Sequence, residues 1–205
     1  MMAFREKFSN LLVGWYGGGV ARNADETRRR IMAAATGEFA QYGIAGARID
    51  RLAEQARSSK ERIYAYFGNK EDLFEAVFSA SVRESLEAVA FDAIDLPGYA
   101  GRMFDYFADN PQAQRLSTWY RLERPEGTGL QAVIDANQTR LQALADAQHN
   151  GDVTSQFTPV ELLALIQAMA VSWGTMNPEF ASPASKESRR DRRRAVVGAV
   201  SRLVA

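Results

Sequence analysis

No cysteine occurs in the 205 residues. That excludes disulfides, thiol nucleophiles and cysteine-based zinc sites, and it fits a reducing compartment. The single histidine, His149, rules out multi-histidine metal sites and leaves little for Ser-His-Asp catalysis. Its place just before Asn150-Gly151 reads as a solvated helix end. No apolar run approaches the roughly 20 residues that a membrane span needs. The stretch LLVGWYGGGV (11–20) is short, broken by glycine and preceded by Arg5, Glu6 and Lys7, so no signal peptide is expected. Strand-like alternation, internal repeats and a phosphate-cradling loop are missing too; Gly17-Gly18-Gly19 lacks a following Lys-Ser/Thr. No pair of clustered carboxylates stands out either. We therefore assign no catalytic residue, no metal ligand and no cofactor, and expect a cytoplasmic protein that is not an enzyme.

What is present is a helical protein with an uneven charge distribution. Hydrophobic residues make up 46% of the chain, enough for a core, and the formal net charge is zero. Residues 1–70 hold 12 Lys+Arg against 7 Asp+Glu, residues 71–180 hold 6 against 16, and residues 181–205 hold 7 against 2. A net +5 at the front, −10 in the body and +5 at the end follow from those counts. A basic first part suits contact with a polyanion.

The fold class expected is all-α. From Asp25, with acidic residues in its first turn, Ile31, Ala34, Ala35 and Phe39 recur at helical spacing, and Gly43 can end that helix after Tyr42. A short helix over about Ile49–Ala56 follows, with Ile49, Leu52, Ala53 and Ala56 on one face. Ser59 then caps another short helix that carries Ile63 and Phe67 inward four residues apart. Two short helices about three residues apart after a longer one have helix-turn-helix spacing. Asn69 can cap the next helix, whose first turn holds Glu71 and Asp72 and whose core face is Leu73, Phe74, Val77 and Phe78. Further helices are expected over 79–94, 98–109, 111–123, 127–149, 158–176 and 187–204, with NPEFASPASK (177–186) as a loop. Thr158-Pro159 with Glu161 marks one of the starts.

On a helix over 59–67, the side opposite Ile63 and Phe67 carries Glu61 and Ala65, flanked by Arg62 and Tyr64, with Tyr66 near the border. Such a face is polar, cationic at one edge and small where a backbone must come close, as a DNA major groove requires. Ser59, Lys60 and the free N–H groups of the first turn suit a phosphate. Glu61 can accept from a cytosine amino group or pair with a neighbouring cation.

The run IDRLAEQARSSKERIYAYFGNKEDLFEAVF resembles the DNA-binding signature of TetR/AcrR-type transcriptional regulators: a short helix ending in Ala, a turn, Ser-Lys, an Ile/Leu-Tyr-x-Tyr/His-Phe run, then x-x-Lys-Glu-x-Leu. The likeness covers roughly residues 25–78. It implies that Ser59 and Lys60 meet phosphate and a base edge, that Arg62 is the main base reader, and that Tyr64 and Tyr66 give hydroxyls to phosphates. It also implies that Lys70 reaches a phosphate from the start of the following helix. Two departures stand out. Arg57 occupies the turn position where the family has glycine; either it adopts a positive φ at about 1 kcal/mol, or the turn takes an ordinary conformation. Ala47-Arg48 replaces a threonine cap, so Arg48 becomes a candidate phosphate contact. Arg28, Arg29 and Arg30 form either a basic arm or a solvated face.

Residues 1–23 are read as a leader expected to be flexible, with a weak membrane-surface segment or an upstream start codon as the alternatives. The resemblance further implies a DNA-binding domain over 24–70 and a ligand-sensing, dimer-forming bundle over 71–205. The partners expected are a double-stranded DNA operator, a small-molecule effector and a second copy of the chain. The apolar helices near 158–176 and 187–204 would form the dimer interface, and a palindromic operator would match the two-fold. Among the aromatics of the middle helices, Met103, Phe107, Trp119, Tyr120 and Trp173 are the pocket candidates. The effector is expected to be largely apolar; the −10 of the body argues against an anion and would suit a lipophilic cation. The basic run SRRDRRR (188–194) is expected to be solvated or paired with the acidic body. The resulting reading is a homodimeric regulator, most simply a repressor released by its ligand. The alternative is a small-molecule binding protein that keeps the helix-turn-helix only as structure.

Overall fold

Segments rich in alanine, leucine, arginine and glutamate, with apolar residues three and four apart, have one economical way to bury them, which is to coil and pack stripe against stripe. A computed structural model of the chain shows this outcome. It describes the backbone of residues 3–124, 130–174 and 187–205, with side chains from Asn23 onward in those ranges. Nine helices, and no strand, occur among the described residues. They are α1 (Ala3–Gly46), α2 (Ile49–Gln55), α3 (Lys60–Phe67), α4 (Lys70–Ala88), α5 (Leu96–Asp109), α6 (Pro111–Glu123), α7 (Gln131–Asn150), α8 (Pro159–Val171) and α9 (Arg189–Leu203). The chain divides into two compact units, Met1–Val77 and Phe78–Ala205. Residues 71–77 thus pack with the first unit, although the sequence suggested a boundary at 70.

The first unit is built on the stripe read from the sequence. Ile31, Ala35 and Phe39 of α1, Leu52 of α2, Ile63 and Phe67 of α3, and Leu73, Phe74 and Val77 of α4 are all buried. The rings of Phe39 and Phe74 meet edge to face, centroids 5.0 Å apart. Gly43, with φ 67 and ψ −171, breaks the helical path of α1 where a stop was expected. Helix continues N-terminally to Ala3, through most of the stretch expected to be a flexible leader. At the start of α4, Asn69 Oδ1 accepts from the Asp72 N–H at 2.8 Å, the cap that the sequence indicated.

One buried charge joins this core. Glu38, only 2% exposed, accepts from the Arg48 N–H at 2.7 Å and from Arg51 Nη2 at 2.6 Å. The Arg51 guanidinium also lies over the Tyr42 ring, 4.2 Å from its centroid. A carboxylate at the N-terminus of α2 complements the helix dipole, in place of the missing hydroxyl cap. Burial pushes the Glu38 carboxyl pKa up, but the hydrogen bonds from Arg51 and the Arg48 N–H, with the nearby positive charges, outweigh it and hold it below the ordinary value.

In the second unit, α5, α8 and α9 form the centre, with Tyr99, Met103, Phe104, Leu162, Ile166, Val196 and Val200 buried together. The Thr158–Glu161 start signal is a complete capping box: Thr158 Oγ1 accepts from the Glu161 N–H at 3.3 Å, and Glu161 Oε2 from the Thr158 N–H at 2.8 Å. His149 lies in the last turn of α7 and is exposed. The helix expected over 79–94 ends at Ala88, because Asp92 and Asp95 take backbone N–H groups for local turns, from Ile94 at 3.0 Å and Gly98 at 2.9 Å. The sequence indicated a helix to 176; α8 ends at Val171, with Ser172 as its C-cap. The 177–186 loop, Met176 and the start of the helix expected from 127 lie outside the described residues.

The basic run 188–194 pairs mainly with acidic residues. Arg189 holds Asp109 at 2.5 Å, and Arg193 Nε donates to Asp105 at 2.6 Å, both on α5. Arg194 pairs with Asp191 at 2.6 Å, and Arg192 lies 5.7 Å over the Trp173 ring.

Glu38→Gln should lower the unfolding free energy at neutral pH, read from urea titrations, by about 2 kcal/mol on the basis of charge-assisted hydrogen bonds lost from a buried site. Because the folded-state pKa is depressed, this contribution is present above the unfolded carboxylate pKa and lost as pH falls through the folded one. The gap between wild type and Glu38→Gln should therefore close in acid.

Candidate nucleic-acid interface and internal cavity

The connection from α2 to α3 fixes how the second short helix presents itself. The Arg57 N–H donates to Glu54 O at 3.1 Å and the Ser58 N–H to Ala53 O at 2.9 Å. This is the double closure of a Schellman motif, which requires a left-handed residue just past the helix end. Arg57 takes that conformation, with φ 48, so the turn keeps the geometry glycine would favour and places an exposed arginine in it. A non-glycine residue there costs about 1 kcal/mol.

Ser59 then caps α3, its Oγ accepting from the Arg62 N–H at 3.2 Å. Ile63 is 0% exposed and Phe67 8%, so both anchors point inward. The opposite side is open: Glu61, Arg62, Tyr64 and Ala65 are exposed, Tyr64 at 41%. The Arg62 and Tyr64 side chains make no hydrogen bond or ion pair to the described residues. They stand at the edge of one surface, a long forked donor beside a hydroxyl.

The other residues singled out in the sequence are engaged within the first unit. Lys60 pairs with Asp50 at 2.5 Å, but both side chains are solvated, so the pair contributes little and can give way to a phosphate. The Asp50 carboxylate and its hydrogen bond hold the Lys60 ammonium above its ordinary pKa. Glu61 is held below its ordinary pKa by its own backbone N–H and the Ser59 hydroxyl, so it stays ionised at the helix start. The Tyr66 hydroxyl donates to Ala24 O at a long 3.3 Å. Lys70 Nζ donates to Ala47 O at 3.1 Å, closing the corner before α2. The Arg48 side chain is exposed beside that corner. Of the arginine triplet, Arg28 lies 5.0 Å over the Phe67 ring, Arg29 pairs with Glu26 at 2.8 Å, and Arg30 reaches the Thr27 hydroxyl at 3.4 Å.

Comparison with known proteins agrees with this geometry. Residues 31–77 match the family model described as bacterial regulatory proteins, tetR family, and residues 95–202 match that of the tetracyclin repressor-like C-terminal domain. The HTH-type transcriptional repressor SCO4008 of Streptomyces coelicolor is 39% identical over 164 residues, 78% of this chain and 84% of its own. The HTH-type transcriptional repressor NicS of Pseudomonas putida is 35% identical over 100 residues, covering 45% of this chain and 47% of its own. The crystal structure of SCO4942, a proposed transcriptional regulator from Streptomyces coelicolor, has 46% identity and a TM-score of 0.80, covering 87% of this chain and 98% of its own.

The chain belongs to the TetR family of bacterial regulatory proteins.

DNA-binding regulators of this family carry a second helical domain, and here the second unit has a cavity of about 420 Å³, open on one side, among α4, α5, α6, α7 and α8. Its walls are mostly apolar, including Phe78, Val82, Val89, Met103 and Phe107, with Ser81, Ser117, Gln167 and two arginines, Arg121 and Arg140, as polar points. Met103 and Phe107 are thus in the lining. Tyr120 is fully buried and stacks on Phe78 with centroids 3.8 Å apart, supporting the wall from behind. Trp119 is not in the lining, and Trp173 borders a smaller cavity of about 260 Å³ together with Phe107. Helical spacing could not separate Trp119 and Tyr120 from their α6 neighbours Ser117, Thr118 and Arg121, because wall and backing alternate along that helix. Glu38 and Arg140 had drawn no attention in the sequence. The signal for Glu38 is its position seven residues after Ile31 and three after Ala35, on the buried stripe.

Two contrasts follow. Arg62→Ala should leave the thermal midpoint unchanged and lower DNA affinity about tenfold or more, while Lys70→Met should lower both, since it also frees the Ala47 carbonyl. Arg57→Gly should raise stability by about 0.5 kcal/mol, the relief of a left-handed arginine less the chain entropy that glycine loses on folding. Thermal melts with paired band-shift titrations check both.

Proposed function

We propose that this TetR-family regulator is a cytoplasmic homodimeric repressor that grips a palindromic operator through α3 and lets go when a small, largely apolar ligand enters the cavity of the second unit. The observation that carries the DNA half is the open face of α3: Arg62 and Tyr64 point to solvent while Ile63 and Phe67 lock the helix from behind. Arg62 would read a base edge, with its fork matched to guanine. Ser59, Lys60, Tyr64 and Tyr66 would take phosphates, and Arg48 and Lys70 would extend that contact at the corner before α2. The sign of action follows the relatives, which are named as repressors.

For the dimer, α8 supplies the support. Val160 is 61% exposed and Leu165 41%, apolar area that a second copy would cover together with α9. Two copies related by a two-fold would set their recognition helices to meet half-sites about 34 Å apart. Release then requires only that the ligand bind more tightly to the arrangement in which both helices cannot reach their grooves.

The deciding experiment is selection of genomic fragments by the purified protein, followed by band shifts at two salt concentrations. A palindromic fragment set is expected, with affinity falling steeply as salt rises and largely lost in Arg62→Ala and Tyr66→Phe. A dimer by light scattering is expected alongside. Recovery of no specific fragment from a folded dimer would sink the reading.

A further inference from the structure

The cavity contains a charge that the described protein leaves without a counter-charge. Arg140, on α7, is only 9% exposed and lines the cavity. Its Nη1 donates to Asn137 Oδ1 at 3.1 Å, and its guanidinium lies 5.8 Å from the Phe91 ring centroid and 5.6 Å from that of Tyr99. Among the described residues no carboxylate pairs with it, and no Asp or Glu occurs in the cavity lining. A neutral amide oxygen and two ring faces soften the cost of burying a guanidinium, but they use one of its N–H groups, and the rest of the fork has no acceptor among the described residues.

The arginine is also held in place. Asn137 Oδ1 accepts from Gln167 Nε2 at 3.2 Å as well as from Arg140, and Gln167 in turn reaches the Tyr99 hydroxyl at 3.4 Å. Burial raises the Tyr99 pKa, against the opposing pull of Arg140, so the phenol stays neutral and offers no negative charge. Arg121 stands at the exposed side of the same cavity, bonded to Ser117 and to no carboxylate among the described residues. The net −10 counted over 71–180 had pointed away from an anion; none of the described acidic residues of that segment lines the cavity.

We infer that the effector is an amphipathic anion, an apolar body with a carboxylate-type head that forks onto Arg140. This rests on the reading that the cavity is the effector site. The planar head would supply the counter-charge the site lacks, and Phe78, Met103 and Phe107 would cover the apolar body.

Calorimetric titration of the full-length protein with naphthylacetate, naphthylacetamide and naphthylethylammonium, which share one aromatic body, tests it. The acid should bind about tenfold or more tightly than the amide, and the cation most weakly. Arg140→Met should erase the preference for the acid. Arg140→Lys should retain a smaller one, because charge survives and the fork does not. Equal or tighter binding of the amide or the cation, no binding of any of the three, or a preference that survives Arg140→Met would overturn the inference. Band shifts with the same probes separate it from the ligand-release reading. An acid that binds through Arg140 yet leaves operator binding intact supports this inference and defeats release. A cation that releases the operator does the opposite.

Discussion

A helix of eight residues has no independent stability, since nucleation alone outweighs the few hydrogen bonds it can make. α3 exists because Ile63 and Phe67 are buried in the core made by α1, α2 and α4. That constraint sets the rest of the first unit. With two positions four residues apart fixed inward, the direction of every other side chain on α3 follows, and Arg62 and Tyr64 have only solvent or a ligand to face. The Phe67 ring is closed from its outer side by Arg28, so part of the early basic cluster helps hold the anchor.

Around that anchor, charged groups do two different jobs. Glu38 is buried and fully partnered; it ties the corner between α1 and α2 and keeps α2 in register for the turn into α3. Arg62 is exposed and unpartnered among the described residues, which is what a reader of another molecule needs. Lys60, Lys70 and Tyr66 are intermediate, with contacts weak enough to be exchanged for phosphate. Arg57 is the one local conflict: the turn demands a left-handed residue and the chain supplies an arginine. The loss is small against the burial that α2 and α3 gain from the turn, so geometry prevails over preference.

The second unit reverses the arrangement. Several of its surface charges pair, as Arg189 and Arg193 do with Asp109 and Asp105, while Arg140, without a counter-charge among the described residues, sits against the cavity. Net charge over a segment therefore says little about a cavity within it, because most of its acidic residues are solvated and screened while a single buried cation is not.

The amino-acid order by itself determined the all-α class, the short α2 and α3, the stop at Gly43, and the caps at Ser59, Asn69 and Thr158. Each of these depends on spacing along one helix or on a side chain within three residues of the backbone it serves. It also determined which face of α3 carries Arg62, since the angular separation of neighbours on a helix is fixed. Tertiary structure alone decided the conformation of Arg57, the partner of Glu38, and which of Met103, Phe107, Trp119, Tyr120 and Trp173 meet the cavity. It alone placed Arg140 there without a carboxylate among the described residues. Those outcomes depend on residues distant in sequence arriving at one point, and a one-dimensional pattern contains no record of which charges meet and which are left alone.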